Sequence, residues 1–250
     1  MNTIENRQNK PPFMRSSKKL SVSDEELEAF YISLRKYYLD VPFDNIQVAR
    51  EEKYYQIPCK MSQLFSMLKG TKVLHQERIH DNPAMLYTAN HIGSYDQFFI
   101  PSILDNTPLH YLVKNKVTTW PVRWNLIYKP TGAVIVEPES LRSWNHAKAK
   151  LIQYLLHGSK VFIFAEGSRR GENNMGDFNP GVAQIAQETG VKIGTLAIKN
   201  TSKLFLRKPV ICAGEVFSVG PREDLKVATE RIKSGVLNAY NEILVYESEL

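Results

Sequence analysis

Ala84-Met85-Leu86-Tyr87-Thr88-Ala89-Asn90-His91-Ile92-Gly93-Ser94-Tyr95-Asp96 and Lys160-Val161-Phe162-Ile163-Phe164-Ala165-Glu166-Gly167-Ser168-Arg169-Arg170 share one plan. An apolar run ends abruptly in a polar segment rich in groups that carry charge or protons. Each run has the length and composition of a strand buried on both faces. Further apolar runs at 109–113, 132–136, 191–198 and 209–217 read the same way. Helical patterns separate several of them, which argues for an α/β fold: a mostly parallel or mixed central sheet flanked by helices. In such sheets, sites form beyond the carboxyl ends of the strands, so the two polar segments are expected along one edge.

Working outward, Ser140 to Leu156 carries Leu141, Trp144, Leu151 and Leu155 at helical spacing and closes at Gly158. Gly181 to Thr189 carries Val182, Ile185 and Ala186 and closes at Gly190. Glycine just past a helix accommodates the left-handed turn that ends it. Pro221 is expected to start a final helix through Leu225, Ala228 and Ile232, because proline suits the first helical turn. Toward the N-terminus, Ser23 and Glu26 have capping-box spacing ahead of a face formed by Leu27, Phe30, Tyr31, Leu34 and Tyr38. A second amphipathic piece aligns Met61, Leu64, Phe65 and Leu68, flanked by Lys60, Lys69 and Lys72. It suits either the protein's own core or a lipid headgroup layer. The chain divides accordingly: 1–20 a mobile polar N-terminus, 21–78 an N-terminal helical extension that could contact a membrane, and 79–250 an α/β domain.

Composition narrows the function classes. Hydrophobic residues at 43% and charged residues at 23% are ordinary for a globular chain of 250 residues. Two cysteines, Cys59 and Cys212, form neither a disulfide framework nor a metal-binding spacing, so no metal is expected. His75-x-Glu77-x-x-His80 lacks zinc-protease spacing and reads as surface. No apolar stretch approaches the roughly 20 residues that cross a bilayer, and Met1 to Leu20 lacks a signal-peptide core. A cytoplasmic location, peripheral on the inner face of a membrane, is the expectation. The net charge is +6, and Lys192, Lys199, Lys203, Arg207 and Lys208 stand without an acid between them, as do Lys114, Lys116, Arg123 and Lys129. Anionic partners follow, and an anionic membrane surface before nucleic acid, since no nucleic-acid-binding signature accompanies the charge.

The polar segments carry the chemistry. A turn at Gly93 and Ser94 lets Asp96 fold back onto one imidazole nitrogen of His91, leaving the other to accept a proton. Gly167 permits close backbone approach to a ligand, and Arg169 can grip a phosphate bidentately, with Glu166 orienting the arginines. Taken singly, a structural histidine and a solvated arginine loop are the competing readings. A serine hydrolase ranks low, because neither Ser94 nor Ser168 sits in a Gly-x-Ser-x-Gly elbow.

Together the segments resemble the glycerolipid acyltransferase family, 1-acylglycerol-3-phosphate acyltransferases among them. Asn90 to Asp96 is similar to its Asn-His-x-Ser-x-x-Asp motif and Phe164 to Arg170 to its Phe-Pro-Glu-Gly-Thr-Arg-Ser motif. Gly132 to Val136 and Phe178-Asn179-Pro180-Gly181 resemble two intervening and following segments, so that roughly 60–217 is covered. Gly93 stands where a serine is usual, Ala165 where a proline is, and Glu137-Pro138 where an arginine commonly helps hold the acceptor's phosphate; Gly194-Thr195 replaces a proline motif. Arg142 and Arg123 are candidate substitutes for the missing arginine. The resemblance implies transfer of an acyl group from acyl-CoA or acyl-carrier protein to the hydroxyl of a glycerol phosphate lipid, foremost 1-acylglycerol-3-phosphate, in phospholipid biosynthesis. It implies no permanently bound cofactor. His91 and Asp96 would be catalytic. Glu166, Gly167, Ser168, Arg169, Arg170 and Lys114 would bind substrate, with backbone N–H groups near Gly167 and Lys114 stabilising the oxyanion. The alternative is a catalytically silent relative that binds acidic lipid or partner proteins.

Overall fold

The computed structural model describes residues 23–40, 45–79, 84–104, 108–121, 124–172, 174–202 and 207–250. Seven strands form one sheet: β1 (Lys72–Leu74), β2 (Leu86–Ala89), β3 (Leu109–Lys114), β4 (Val134–Val136), β5 (Lys160–Ile163), β6 (Ile193–Lys199) and β7 (Val210–Phe217). Their order is β1-β7-β6-β2-β5-β3-β4. Every neighbouring pair is parallel except β6 with β7, so the sheet is mixed. Among the described residues, six α-helices accompany it: α1 (Asp24–Asp40), α2 (Asn45–Lys69), the single turn α3 (Asp96–Phe99), α4 (Leu141–Leu156), α5 (Gly181–Thr189) and α6 (Leu225–Ser248).

Side chains alternate across a strand, and here the alternation separates two cores. Leu86, Val161, Ile163 and Ile193 face α1, α4, α5 and α6, meeting Tyr31, Leu151, Ile185 and Ile232. Tyr87, Phe162, Leu196 and Ile198 face the other way, toward Tyr55 and Cys59 of α2 and Phe99 of α3. Because β2, β5 and β6 are buried along their whole length, no polar residue marks an outward face. Each large side chain sealed in this way contributes about 1.5–3 kcal/mol relative to exposure.

Local signals explain most boundaries. Ser23 and Glu26 form the reciprocal capping box, the Glu26 carboxylate accepting from Ser23 N at 2.8 Å and Ser23 Oγ from Glu26 N at 3.2 Å. Ser140 caps α4 through Ser143 N, and Gly190 closes α5 at φ 74°. Two expectations are corrected. The last helix does not begin at Pro221: Asp224 caps it by accepting from Lys226 N and Val227 N, and Pro221 belongs to the preceding turn. The amphipathic piece is the end of a 25-residue helix with Pro58 inside it, and Lys72 leaves that helix to open β1. The expected N-terminal extension therefore also supplies the sheet's edge strand.

That long helix faces the protein with Tyr55, Cys59, Ser62 and Ser66, while Ile57, Met61, Leu64 and Leu68 stand exposed at the same spacing. Phe65 turns inward onto Phe99, ring centroids 5.3 Å apart. No described helix is long and apolar enough to cross a membrane.

Candidate active site

Four adjacent parallel strands, β6, β2, β5 and β3, deliver their carboxyl ends to one edge. They bring Thr201, His91, the Glu166–Arg169 turn and Lys114 there in that order. Asn90 fastens the first turn: its Oδ1 accepts from Ile198 N at 2.8 Å and its Nδ2 donates to Ile198 O at 2.9 Å. The side-chain amide thus stands in for backbone pairing just where β2 leaves the sheet.

The His91–Asp96 pair forms as expected. His91 Nδ1 lies 2.7 Å from Asp96 Oδ2, and the His91 ring stacks on Phe164 at 4.0 Å and 14°. Asp96 is fully buried yet fully served. Its carboxylate accepts from Ile92 N at 2.8 Å, Gly93 N at 3.0 Å and Thr201 Oγ1 at 2.5 Å. Buried acceptors need such partners. With Nδ1 engaged by Asp96, His91 has its other ring nitrogen, Nε2, uncommitted, and the residue lines the adjoining cavity. A Cβ at Gly93 would stand 3.2 Å from Ser202 Cβ and 3.3 Å from its Cα, a tight approach that a small shift of the neighbour must relieve.

Thr201 was not foreseen. It follows β6 at the same carboxyl edge as His91, which is the one signal that could have found it, but no motif spacing carries it.

Glu166 joins the two polar segments through main-chain groups. Its Oε1 accepts from His91 N and its Oε2 from Gly176 N, both at 2.7 Å, so the buried carboxylate ties the histidine turn to the arginine loop. Arg170 N donates to His91 O at 2.9 Å and tightens the same junction. The Arg170 side chain runs over Gly176, where a Cβ would come 2.7 Å from its Nε, and it does not line the cavity beside His91. Arg169 does, and its guanidinium donates to Ser94 Oγ, bridging the two segments. Gly167 holds φ 65°, where a side chain would be strained, and its N–H closes the turn onto Phe164 O at 2.9 Å. Among the described residues, the next two N–H groups, of Ser168 and Arg169, have no partner.

The cavity has a volume of about 490 Å³. His91, Ser168 and Arg169 form one wall, Lys114 and Lys116 another, and Val117, Trp120, Tyr128 and Val136 an apolar side. No carboxylate lines it among the described residues, so its field is positive. Arg142 is exposed on α4 and does not reach it, and Arg123 lies outside the described residues.

The parallel-strand edge thus sets a histidine backed by a buried carboxylate beside a cavity that is cationic on one side and apolar on the other. The family model described as Acyltransferase matches residues 70–199, and this chain belongs to that family. It is 27% identical to the 1-acyl-sn-glycerol-3-phosphate acyltransferase of Borreliella burgdorferi over 152 residues, 59% of each chain. Over 168 residues it is 24% identical to the probable 1-acyl-sn-glycerol-3-phosphate acyltransferase of Mycoplasma genitalium, covering 65% of this chain and 60% of that one. The chain thus spans about three fifths of the length of the curated relatives it matches. The crystal structure of the 1-acyl-sn-glycerophosphate acyltransferase PlsC from Thermotoga maritima shares the fold, with a TM-score of 0.60 at 17% identity, over 85% of this chain and 96% of that one.

Proposed function

We propose that this protein transfers a fatty acyl group from a thioester to the hydroxyl of a lysophosphatidate-type acceptor, in phospholipid biosynthesis. The carrying observation is the His91–Asp96 pair opening onto a cavity that is cationic on one side and apolar on the other. His91 Nε2 takes the proton of the acceptor hydroxyl, and the freed oxygen attacks the thioester carbonyl. The imidazolium so formed is balanced by Asp96. The tetrahedral oxyanion is received by the N–H groups of Ser168 and Arg169, with Lys114 nearby. The N–H of Gly167, expected among these donors, is committed to its own turn. Collapse expels the thiolate, which recovers the proton from Nε2, so an ester and a free thiol leave.

Arg169, Lys114 and Lys116 are assigned the acceptor's phosphate, in place of the arginine that Glu137-Pro138 lacks. Glu166 serves the phosphate only indirectly, by fixing the loop. The donor is acyl-CoA or acyl-carrier protein, whose chain lies along Val117, Tyr128 and Val136. The exposed Ile57, Met61, Leu64 and Leu68 face of α2, flanked by Lys60 and Lys69, is assigned to the surface of an anionic membrane, where apolar side chains enter the headgroup layer and lysines reach phosphates.

The deciding experiment measures thiol release from acyl-CoA and acyl-carrier protein with lysophosphatidate, glycerol 3-phosphate and a zwitterionic lysolipid as acceptors. Release that requires lysophosphatidate and disappears in folded His91→Ala supports the reading. Arg169→Ala should raise the acceptor's KM with a smaller effect on kcat. Vesicle binding without transfer to any acceptor favours the catalytically silent alternative.

A further inference from the structure

Away from the catalytic edge, three segments distant in sequence bring a nitrogen, a sulfur and a carboxylate together. His75 follows β1, Cys212 lies in β7 opposite Leu74, and Glu242 projects from α6. Their ligand atoms all lie within 4.8 Å of one another. Glu242 Oε2 is the hub, 3.3 Å from His75 Nε2 and 3.2 Å from Cys212 Sγ. Ligands placed tetrahedrally about 2.0–2.3 Å from one ion stand roughly 3.3–3.8 Å apart, so the nitrogen–oxygen separation matches a tetrahedral edge and the sulfur–oxygen one falls about 0.3 Å short of it.

The surroundings are arranged as a metal-binding histidine requires. Glu77 Oε1 lies 3.3 Å from His75 Nδ1, the position from which a carboxylate fixes the ring with Nε2 directed at an ion. Arg78 Nη1 donates to Glu242 Oε2 at 2.9 Å and to Oε1 at 3.1 Å, so an ion taken by Oε2 displaces the shorter of these contacts and leaves Arg78 on Oε1. Cys212 is buried, whereas the His75 and Glu242 side chains are 39% and 36% exposed, which leaves an entry path and a fourth position for water.

We propose that His75, Cys212 and Glu242 bind a divalent ion of the zinc class, with Glu77 positioning the histidine. A mixed sulfur, nitrogen and oxygen set selects zinc or cobalt over magnesium or calcium, which take oxygen ligands. None of these residues lines the cavity beside His91, so the ion is structural: it joins the edge strand β1, strand β7 and the final helix. Sequence spacing could not announce it, because each ligand comes from a different segment.

The test is a titration of the metal-stripped full chain with cobalt(II), then zinc. One equivalent of cobalt should produce the visible absorption of a tetrahedral ion and a near-ultraviolet sulfur-to-cobalt band, both erased by zinc and not by magnesium. His75→Ala and Cys212→Ser should abolish the sulfur band, and Cys59→Ala should keep it. Glu77→Gln should weaken zinc binding about 10- to 100-fold at unchanged stoichiometry. His75→Ala alters a half-exposed side chain, so it decides the question if Cys212→Ser fails to fold. The proposal is overturned by a folded protein without the band, a band that survives His75→Ala or Cys212→Ser, a band lost in Cys59→Ala, or zinc affinity indifferent to Glu77→Gln.

Discussion

Replacing Asp96 with asparagine isolates the charge of the carboxylate from its geometry. Asp96 accepts from His91 Nδ1, Ile92 N, Gly93 N and Thr201 Oγ1, and the first two both aim at Oδ2. The amide oxygen therefore takes the Oδ2 position, and the amide nitrogen faces Thr201 Oγ1, which can turn its hydrogen aside and accept. His91 keeps its tautomer, Gly93 N keeps its bond to the Oδ2 position at 3.0 Å while giving up the weaker one to Oδ1 at 3.1 Å, and the main loss is the counter-charge to the imidazolium. A hydrogen bond gains about 1–2 kcal/mol from having a charged partner. At an effective dielectric of about 20, unit charges some 4 Å apart attract by about 4 kcal/mol. The two figures bracket a loss of about 2–4 kcal/mol, or about 30- to 1,000-fold in kcat. The assay is thiol release from acyl-CoA at saturating lysophosphatidate, with urea midpoints confirming a folded variant. A kcat within threefold of the parent would refute the role of Asp96. A fall beyond about 10⁴-fold would refute the geometry instead, since losses of that size accompany the wrong histidine tautomer.

Glu166→Gln should cost about 2–3 kcal/mol in urea denaturation, because its buried amide nitrogen must face either His91 N or Gly176 N, donor against donor; an unchanged midpoint would remove the strap. His110, buried against Tyr154 and bonded to Thr131 O at 2.7 Å, has its pKa pushed down by burial from 6.5 to about 3. Its folded state resists the proton that the unfolded chain accepts, so stability is full above about pH 6.5, falls as pH drops toward 3 and levels below that. The loss between pH 7 and 5 should be about 2 kcal/mol from this group, with a flatter slope in His110→Gln. Leu64→Ser with Leu68→Ser should weaken binding to anionic vesicles about tenfold or more, since each leucine forfeits part of its apolar transfer energy; undiminished sedimentation with vesicles would dissociate this face from the membrane.

The strands that build the site were legible because they are largely sealed on both faces and therefore mostly apolar, with Thr88, His110, Lys160 and Thr195 buried among the rest. β1 was not, being three residues of an edge with a partly exposed pattern. The first half of α2 was hidden by Pro58, which ordinarily ends a helix. His91, Asp96 and Arg169 announced themselves through local spacing on two turns. Thr201 and the true partners of Glu166 did not, because both depend on contacts between segments separated by 105 and 75 positions. Gly194 illustrates the same limit: a Cβ there would lie 2.5 Å from the Tyr87 ring, a steric demand set by a neighbouring strand.

The Glu166 bridge is written in main-chain atoms at both ends. It recognises the peptide groups at positions 91 and 176, whatever side chains those positions carry. The frame consequently does not depend on the side chains of those two positions, so exchanging them leaves the bridge its partners.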